Sequence, residues 1–194
     1  MTGFLERCPW AGDDPQMILY HDTEWGVPII DDRRLFEFLT LEGAQAGLSW
    51  RTVLHKRDGY RRAFARFAYQ KVSRFGARDV RRLLEDASII RNRQKIEATI
   101  RNARALMEVR EEFGTFGKYQ WQFVGGRPKI NRWTAHTQIP ATSAESDAMS
   151  QDMKKRGFGF VGSTILYAHM QAIGMVNDHL TSCFRWRRLA RTGR

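Results

Sequence analysis

The chain has 194 residues, 42% of them hydrophobic, with 32 Lys and Arg against 21 Asp and Glu and a formal net charge of +11. That is enough apolar material for a normal core, as one unit of residues 1–194 or as two small helical lobes, and the surplus of cations points to a polyanionic partner. No apolar run approaches a membrane span, no apolar leader opens the sequence, and two cysteines cannot build a disulfide framework; the expected protein makes no membrane contact and works in the cytoplasm.

The charge is unevenly spread. Residues 1–50 carry 3 Lys or Arg against 9 Asp or Glu, residues 51–110 carry 17 against 6, and residues 111–194 carry 12 against 6. The first fifty residues also hold Trp10, Tyr20, Trp25 and Trp50. Asp31 or Asp32 can cap a helix through LFEFLTLEGAQA, which Gly47 would end, and inside that apolar stretch stands one acid, Glu42. Ser49 can cap a helix through WRTVLHKRDGYRRAF. ARDVRRLLED reads as a short helix, and Asn92 to Phe113 as a longer one with Ile96, Ile100, Ala103, Met107 and Val109 near one stripe.

A turn is expected around Gly125–Pro128. Thr142 to Glu145 fits a T-x-x-E capping box before AMSQDMKKRG, and after the turn Phe158-Gly159-Phe160-Val161-Gly162 comes STILYAHMQAIGM, closed by Gly174. No run of alternating residues argues for strands, so the expected fold is all-α. The helix, glycine turn and helix at about 144–174 can aim backbone N–H groups and a helix N-terminus outwards to hold a phosphate, with Lys154, Lys155 and Arg156 just before the turn. Helical hairpins also use such glycines simply for packing.

The two cysteines fall at opposite ends of the chain, each with a histidine: Cys8 and His21 as C-x12-H, His179 and Cys183 as H-x3-C. Two thiolates and two imidazoles suit a closed tetrahedral zinc site, and His179 and Cys183 share a face if they lie on one helical turn. The same residues also admit a Cys8–Cys183 disulfide or plain core packing. The four early aromatics and Glu42 are individually ordinary core or surface residues. Together they can make an aromatic-walled pocket with one carboxylate, suited to a cationic ring bearing an amine.

The segments ERCPW (6–10), YHDTEWGVP (20–28), LFEFLTLEGAQAGLSW (35–50), SIIRNRQKIEATIRNARA (88–105) and KKRGFGFVGSTILYAHMQAIGMVNDH (154–179) resemble the bacterial DNA-3-methyladenine glycosylase I family over nearly the whole chain. The resemblance implies a helix-hairpin-helix glycosylase fold and one structural zinc on Cys8, His21, His179 and Cys183. It implies a base pocket of Glu42, Trp10, Tyr20 and Trp50, with Gly47 and Leu48 entering the duplex and Phe158 to Ser163, including Gly159 and Gly162, holding phosphate.

The implied reaction is monofunctional hydrolysis of the N-glycosidic bond of 3-methyladenine in double-stranded alkylated DNA, by a monomer that flips the nucleotide out. N3-methylation makes the base cationic, so its departure needs no protonation. Two features depart from the family pattern: Met17 stands where a tyrosine is expected, and the arginine-rich tail after Cys183 has no counterpart. Asp178 is expected to orient His179 or cap a backbone group rather than to catalyse, and His55, His136 and His169 receive no role. The rival reading is a noncatalytic, zinc-stapled module that binds bent or damaged duplex; release of free base separates the two.

Overall fold

A computed structural model describes residues 5–192; the outermost residues of the 1–194 unit, including Arg194 of the tail, lie outside the described residues. Asp14 opens the first helix, α1 (Pro15–Thr23): its carboxylate accepts from the N–H groups of Gln16 and Met17, and Pro15 fits the first helical position. Of the two candidate caps for α2 (Asp32–Gln45), Asp31 is used, accepting from Arg34 N–H. Asp32 turns inwards to Arg110 and Gly117 N–H.

Helix α2 is the axis of the molecule. Leu35, Phe36, Phe38, Leu39 and Leu41 are buried on every side of it, and most buried apolar side chains among the described residues join them in one cluster. The helix stops at Gln45, and Gly47 turns the chain at φ +77°, a conformation that favours glycine. Lys95 reaches across to the carbonyls of Ala44 and Ala46 at 2.8 and 2.6 Å, which satisfies the open end of α2.

The single helix expected after Ser49 is two: α3 (Trp50–His55) and α4 (Arg57–Ala63), broken at Lys56. Past the break, Arg57 enters the core and meets both Glu37 and Glu24. A one-residue step of this kind leaves the apolar pattern almost unchanged. Next come α5 (Tyr69–Val72), α6 (Ala77–Glu85), α7 (Arg93–Phe113), capped by Asn92 as expected, and α8 (Phe116–Trp121). On α7 the stripe is buried except for Met107, which is only partly covered.

The all-α expectation is modified by one short ladder: β1 (Lys129–Ile130) pairs in parallel with β2 (Val176–Asn177). Two residues give no alternation to read. Helix α9 (Ala144–Lys155) is capped by Ser143 with Ser146 three residues on, not by Thr142 with Glu145. Glu145 pairs with Lys129 instead. After the turn runs α10 (Ser163–Ala172), and Gly174 follows at φ +75°, so close to Val27 and Pro28 that a Cβ would lie 2.5 Å from their backbone. His179 and Cys183 do not share a helical turn; a bend at Leu180–Ser182 joins them ahead of α11 (Phe184–Thr192). Among the described residues no helix is long and apolar enough to cross a membrane.

Candidate functional site

Four elements converge on a cleft of about 230 Å³. Trp10 comes from the short helical turn Pro9–Ala11, Met17 and Tyr20 from α1, Glu42 from the last turn of α2 and Trp50 from the first residue of α3. The rings brace one another: Tyr20 lies 5.1 Å from Trp50 and 6.2 Å from Trp10, and Trp10 meets Trp25 edge-on at 4.9 Å. Glu42 is 4% exposed and its carboxyl has no hydrogen-bond partner among the described residues. Burial pushes it up to about 8, so near neutrality the carboxyl is held largely as the acid. Burial and the Glu42 charge likewise keep the Tyr20 phenol neutral. The Trp50 indole N–H is buried and unpartnered. A pocket with open polar groups and no internal partners is built for a ligand rather than for packing.

The same Glu42 also borders a groove that runs past Gln45, Gly47 and Leu48 to Thr164, Ile165 and Ala168 on α10. Leu48, at the tip of the turn after α2, is 41% exposed. Helix α10 starts at Gly162 with no side-chain cap, leaving the N–H groups of its first turn open, at the positive end of its dipole. The turn before it is pinned: Gly159 N–H donates to Asn102 and Gly159 carbonyl accepts from it, and Ser150 donates to Val161 carbonyl at 2.6 Å. The Gly159 N–H is therefore spent inside the protein, and the open donors belong to Ser163 and its neighbours. The Ser163 hydroxyl meets Ser146 at 2.8 Å.

Cys8, His21, His179 and Cys183 form a second cluster, all buried, with ligand atoms within 4.8 Å of one another. Each sulfur lies 3.5–3.6 Å from an imidazole nitrogen: Cys8 Sγ to His179 Nδ1 at 3.6 Å, Cys183 Sγ to His21 Nε2 and to His179 Nδ1 both at 3.5 Å. The sulfur–nitrogen edge of a tetrahedron with zinc-like bonds is about 3.6 Å. Both histidines have their other nitrogen occupied. His21 Nδ1–H donates to Asp22 at 2.7 Å, and Asp22 is clamped in turn by Arg7; His179 Nε2–H donates to Trp25 carbonyl at 3.1 Å. The other nitrogen of each ring therefore faces the sulfurs with its lone pair, as a metal ligand requires, and that of His21 also accepts from Cys8 N–H at 3.3 Å. Burial keeps His179 neutral, and of the two facing thiols Cys183 is drawn down by its hydrogen bond with Cys8. The group can hold a metal ion; both cysteines are free thiols and no disulfide joins them.

Asp178 neither orients His179 nor caps backbone. It is 1% exposed, and its carboxylate accepts from four side chains: Asn131, Trp133, Tyr167 and Gln171, at 2.7–2.8 Å. Reading the sequence also missed His136, Ile139 and Gln171, all of which line the aromatic cleft. Residues 136 and 139 lie in an irregular segment whose only clue is the local turn chemistry. Asp22, the partner of His21, was also missed, although its adjacency in sequence was a signal for it. His55 is a surface partner of Asp14, and His169 is fully buried on Gln120, where burial lowers it to about 3.

The family model described as methyladenine glycosylase matches residues 10–186. The DNA-3-methyladenine glycosylase 1 of Escherichia coli (strain K12) is 50% identical over 179 residues, 92% of this chain and 96% of its own. The DNA-3-methyladenine glycosylase of Haemophilus influenzae is 43% identical over 177 residues, 91% of this chain and 96% of its own. Among solved structures, a 3-methyladenine DNA glycosylase I from Staphylococcus aureus superposes with a TM-score of 0.90 at 33% identity, covering 94% of this chain and 97% of that one.

Proposed function

The chain belongs to the methyladenine glycosylase family, and from that premise we propose how its residues divide the work. It is a base-excision repair glycosylase that removes 3-methyladenine from alkylated DNA by hydrolysing the N-glycosidic bond. We read Glu42, Trp10, Tyr20 and Trp50 as the base pocket. The observation that carries this reading is the buried Glu42 carboxyl, without a protein partner and ringed by aromatic side chains.

A flipped 3-methyladenine is cationic, and its charge favours the ionised form of Glu42. The carboxylate then accepts from the ring amine while the aromatic faces enclose the ring. A neutral base offers no such return for charging a buried carboxyl, so the pocket selects by charge as well as by shape. The departing base takes the electron pair of the C1′–N bond and needs no added proton; water bonds to C1′ and gives its proton to solvent. The pocket lining contains no lysine, which leaves no amine for Schiff-base lyase chemistry. The four donors on Asp178 leave it no free role as a base.

The contiguity of pocket, turn and helix N-terminus supports the DNA reading. With the α9–turn–α10 pair as a helix-hairpin-helix, Gly162 and Ser163 present open N–H groups to a phosphate, Gly159 shapes the turn, and Gly47 lifts Leu48 into the space a flipped nucleotide leaves. Cys8, His21, His179 and Cys183 fit one zinc ion. Its four protein ligands leave no site for water, so its contribution is structural. Incubation of the protein with alkylated duplex and identification of the released bases tests the function. Free 3-methyladenine released by the parent and lost in Glu42→Gln of parental fold is the expected result.

A further inference from the structure

Beyond the aromatic wall, the base pocket has a second side made by two separate elements. His136 and Ile139 reach it from the irregular segment 131–140, and Ala168 and Gln171 from α10. The segment holds only one short helical turn, His136–Gln138, and its ladder bonds are at its start, beside β1. Its position is fixed instead by side chains that converge on one buried carboxylate. Asn131 Nδ2 and Trp133 Nε1 donate to Asp178 Oδ1 at 2.7 and 2.8 Å, while Tyr167 hydroxyl and Gln171 Nε2 donate to Oδ2 at 2.7 and 2.8 Å. One oxygen thus holds the segment and the other holds α10.

We propose that Asp178 is a positioning residue that clamps the 131–139 segment to α10 and so sets the outer wall of the base pocket, with His136 as the residue of that wall that contacts the base. Two further features support the clamp. Thr181 N–H donates to Trp133 carbonyl at 2.9 Å, and Gln138 Oε1 accepts from Thr134 N–H, Ala135 N–H and the Thr134 hydroxyl, closing the short turn that carries His136. The segment is therefore stiff between two anchors. His136 is exposed at the mouth, where its ring can cover the edge of a bound base opposite Glu42. The carboxylate suits the clamp because it accepts at both oxygens, and an amide in its place turns one acceptor into a donor facing two donors.

The inference rests on the base-pocket reading, so Glu42→Gln serves as its control. Measured are affinity for free 3-methyladenine, affinity for duplex carrying an uncleavable abasic-site analogue, single-turnover excision and Tm. Asp178→Asn adjoins a metal ligand and carries a folding risk, so Trp133→Phe, which keeps a ring and removes one donor to Asp178, is tested beside it with His136→Ala. Trp133→Phe and His136→Ala are each expected to weaken base affinity about fivefold or more with duplex affinity unchanged. Their combination should be little worse than the weaker single variant, because both act through one wall. Parental base affinity in Trp133→Phe and His136→Ala, with Glu42→Gln weakened, overturns the clamp alone. Parental affinity in Glu42→Gln as well overturns the pocket. Well-folded Asp178→Asn that binds base normally yet no longer excises it makes Asp178 catalytic, and the clamp is wrong.

Discussion

Two buried polar clusters sit back to back on α1. Tyr20 faces the aromatic cleft and its neighbour His21 faces the cysteines; the Trp25 ring lines the cleft while its carbonyl holds His179. In the Cys and His cluster every ring nitrogen has a partner or points at its co-ligands, and the surrounding acceptors fix each tautomer. In the cleft the opposite holds: the Glu42 carboxyl and the Trp50 N–H are buried without partners. The first arrangement lowers free energy in the resting protein once a metal is present. The second costs free energy until a ligand arrives, and that cost is what makes the ligand's own groups count. Because Trp10 packs on both His21 and Tyr20, the satisfied cluster is also the foundation of the unsatisfied one.

The largest effect should come from breaking the foundation. Zinc removal by a chelator, or Cys183→Ala, strands buried thiol and imidazole groups and should lower Tm by about 10 °C or more. Base affinity should fall with it, since the walls hang from the cluster. About one zinc per chain is expected from metal analysis. A metal-free protein with parental Tm and base affinity would mean that the two clusters are independent and the site is not a metal centre.

Next in size is Glu42→Gln. Excision of 3-methyladenine should fall roughly 30- to 100-fold, the scale of a lost charge-assisted hydrogen bond of about 2–3 kcal/mol. Stability should move the other way. The Glu42 carboxyl titrates at about 8 in the folded protein and in the ordinary carboxylate range when unfolded, so the folded state binds more protons between those values and the parent loses stability as pH rises through that window. Glu42→Gln lacks this loss. Its Tm should match the parent at acid pH, exceed it increasingly up to about pH 8, and hold a constant lead above that. In turnover the sign reverses: kcat/KM of the parent should climb with pH through a midpoint near 8 to a plateau above it as Glu42 ionises, and this limb should be missing in the variant. A parental profile without that limb removes Glu42 from the reading of the base.

Much of this was legible, for reasons that can be traced. The Cys and His group was readable because thiol and imidazole are rare and chemically specific, whereas Asp22, the partner of His21, was passed over although it stands next to it in the sequence. Glu42 stood out as one acid in an apolar helix, and the hairpin was marked by its glycines. The break at Lys56 was hidden because a one-residue step preserves the apolar pattern. The cap falls on Ser143 rather than Thr142 because Ser146 closes the box from three residues on, while Glu145 is drawn to Lys129. The outer pocket wall was illegible for a deeper reason: His136 and Ile139 are brought in by contacts to Asp178 across more than forty residues, and no local period records such a contact.

The smallest expected effect gives the sharpest form of the comparison, since it deletes the same atom in two places. Tyr119 and Tyr20 are both buried, at 0% and 2% exposure. The Tyr119 hydroxyl donates to Asp152 at 2.7 Å, within a set completed by Arg156, whereas the Tyr20 hydroxyl faces the cleft with no protein partner among the described residues. Tyr119→Phe removes one donor from a satisfied carboxylate and should cost about 1–2 kcal/mol of stability with base affinity unchanged. Tyr20→Phe removes a group that has only solvent or ligand to bond, and leaves the ring packed on Trp50. Its stability should stay within about 0.5 kcal/mol of the parent, while affinity for free 3-methyladenine falls a few-fold. The two variants should therefore separate cleanly in a plot of Tm against base affinity. If Tyr20→Phe instead loses as much stability as Tyr119→Phe and binds base as well as the parent, the cleft is an ordinary part of the core, and the contrast between the two clusters is one of packing rather than of function.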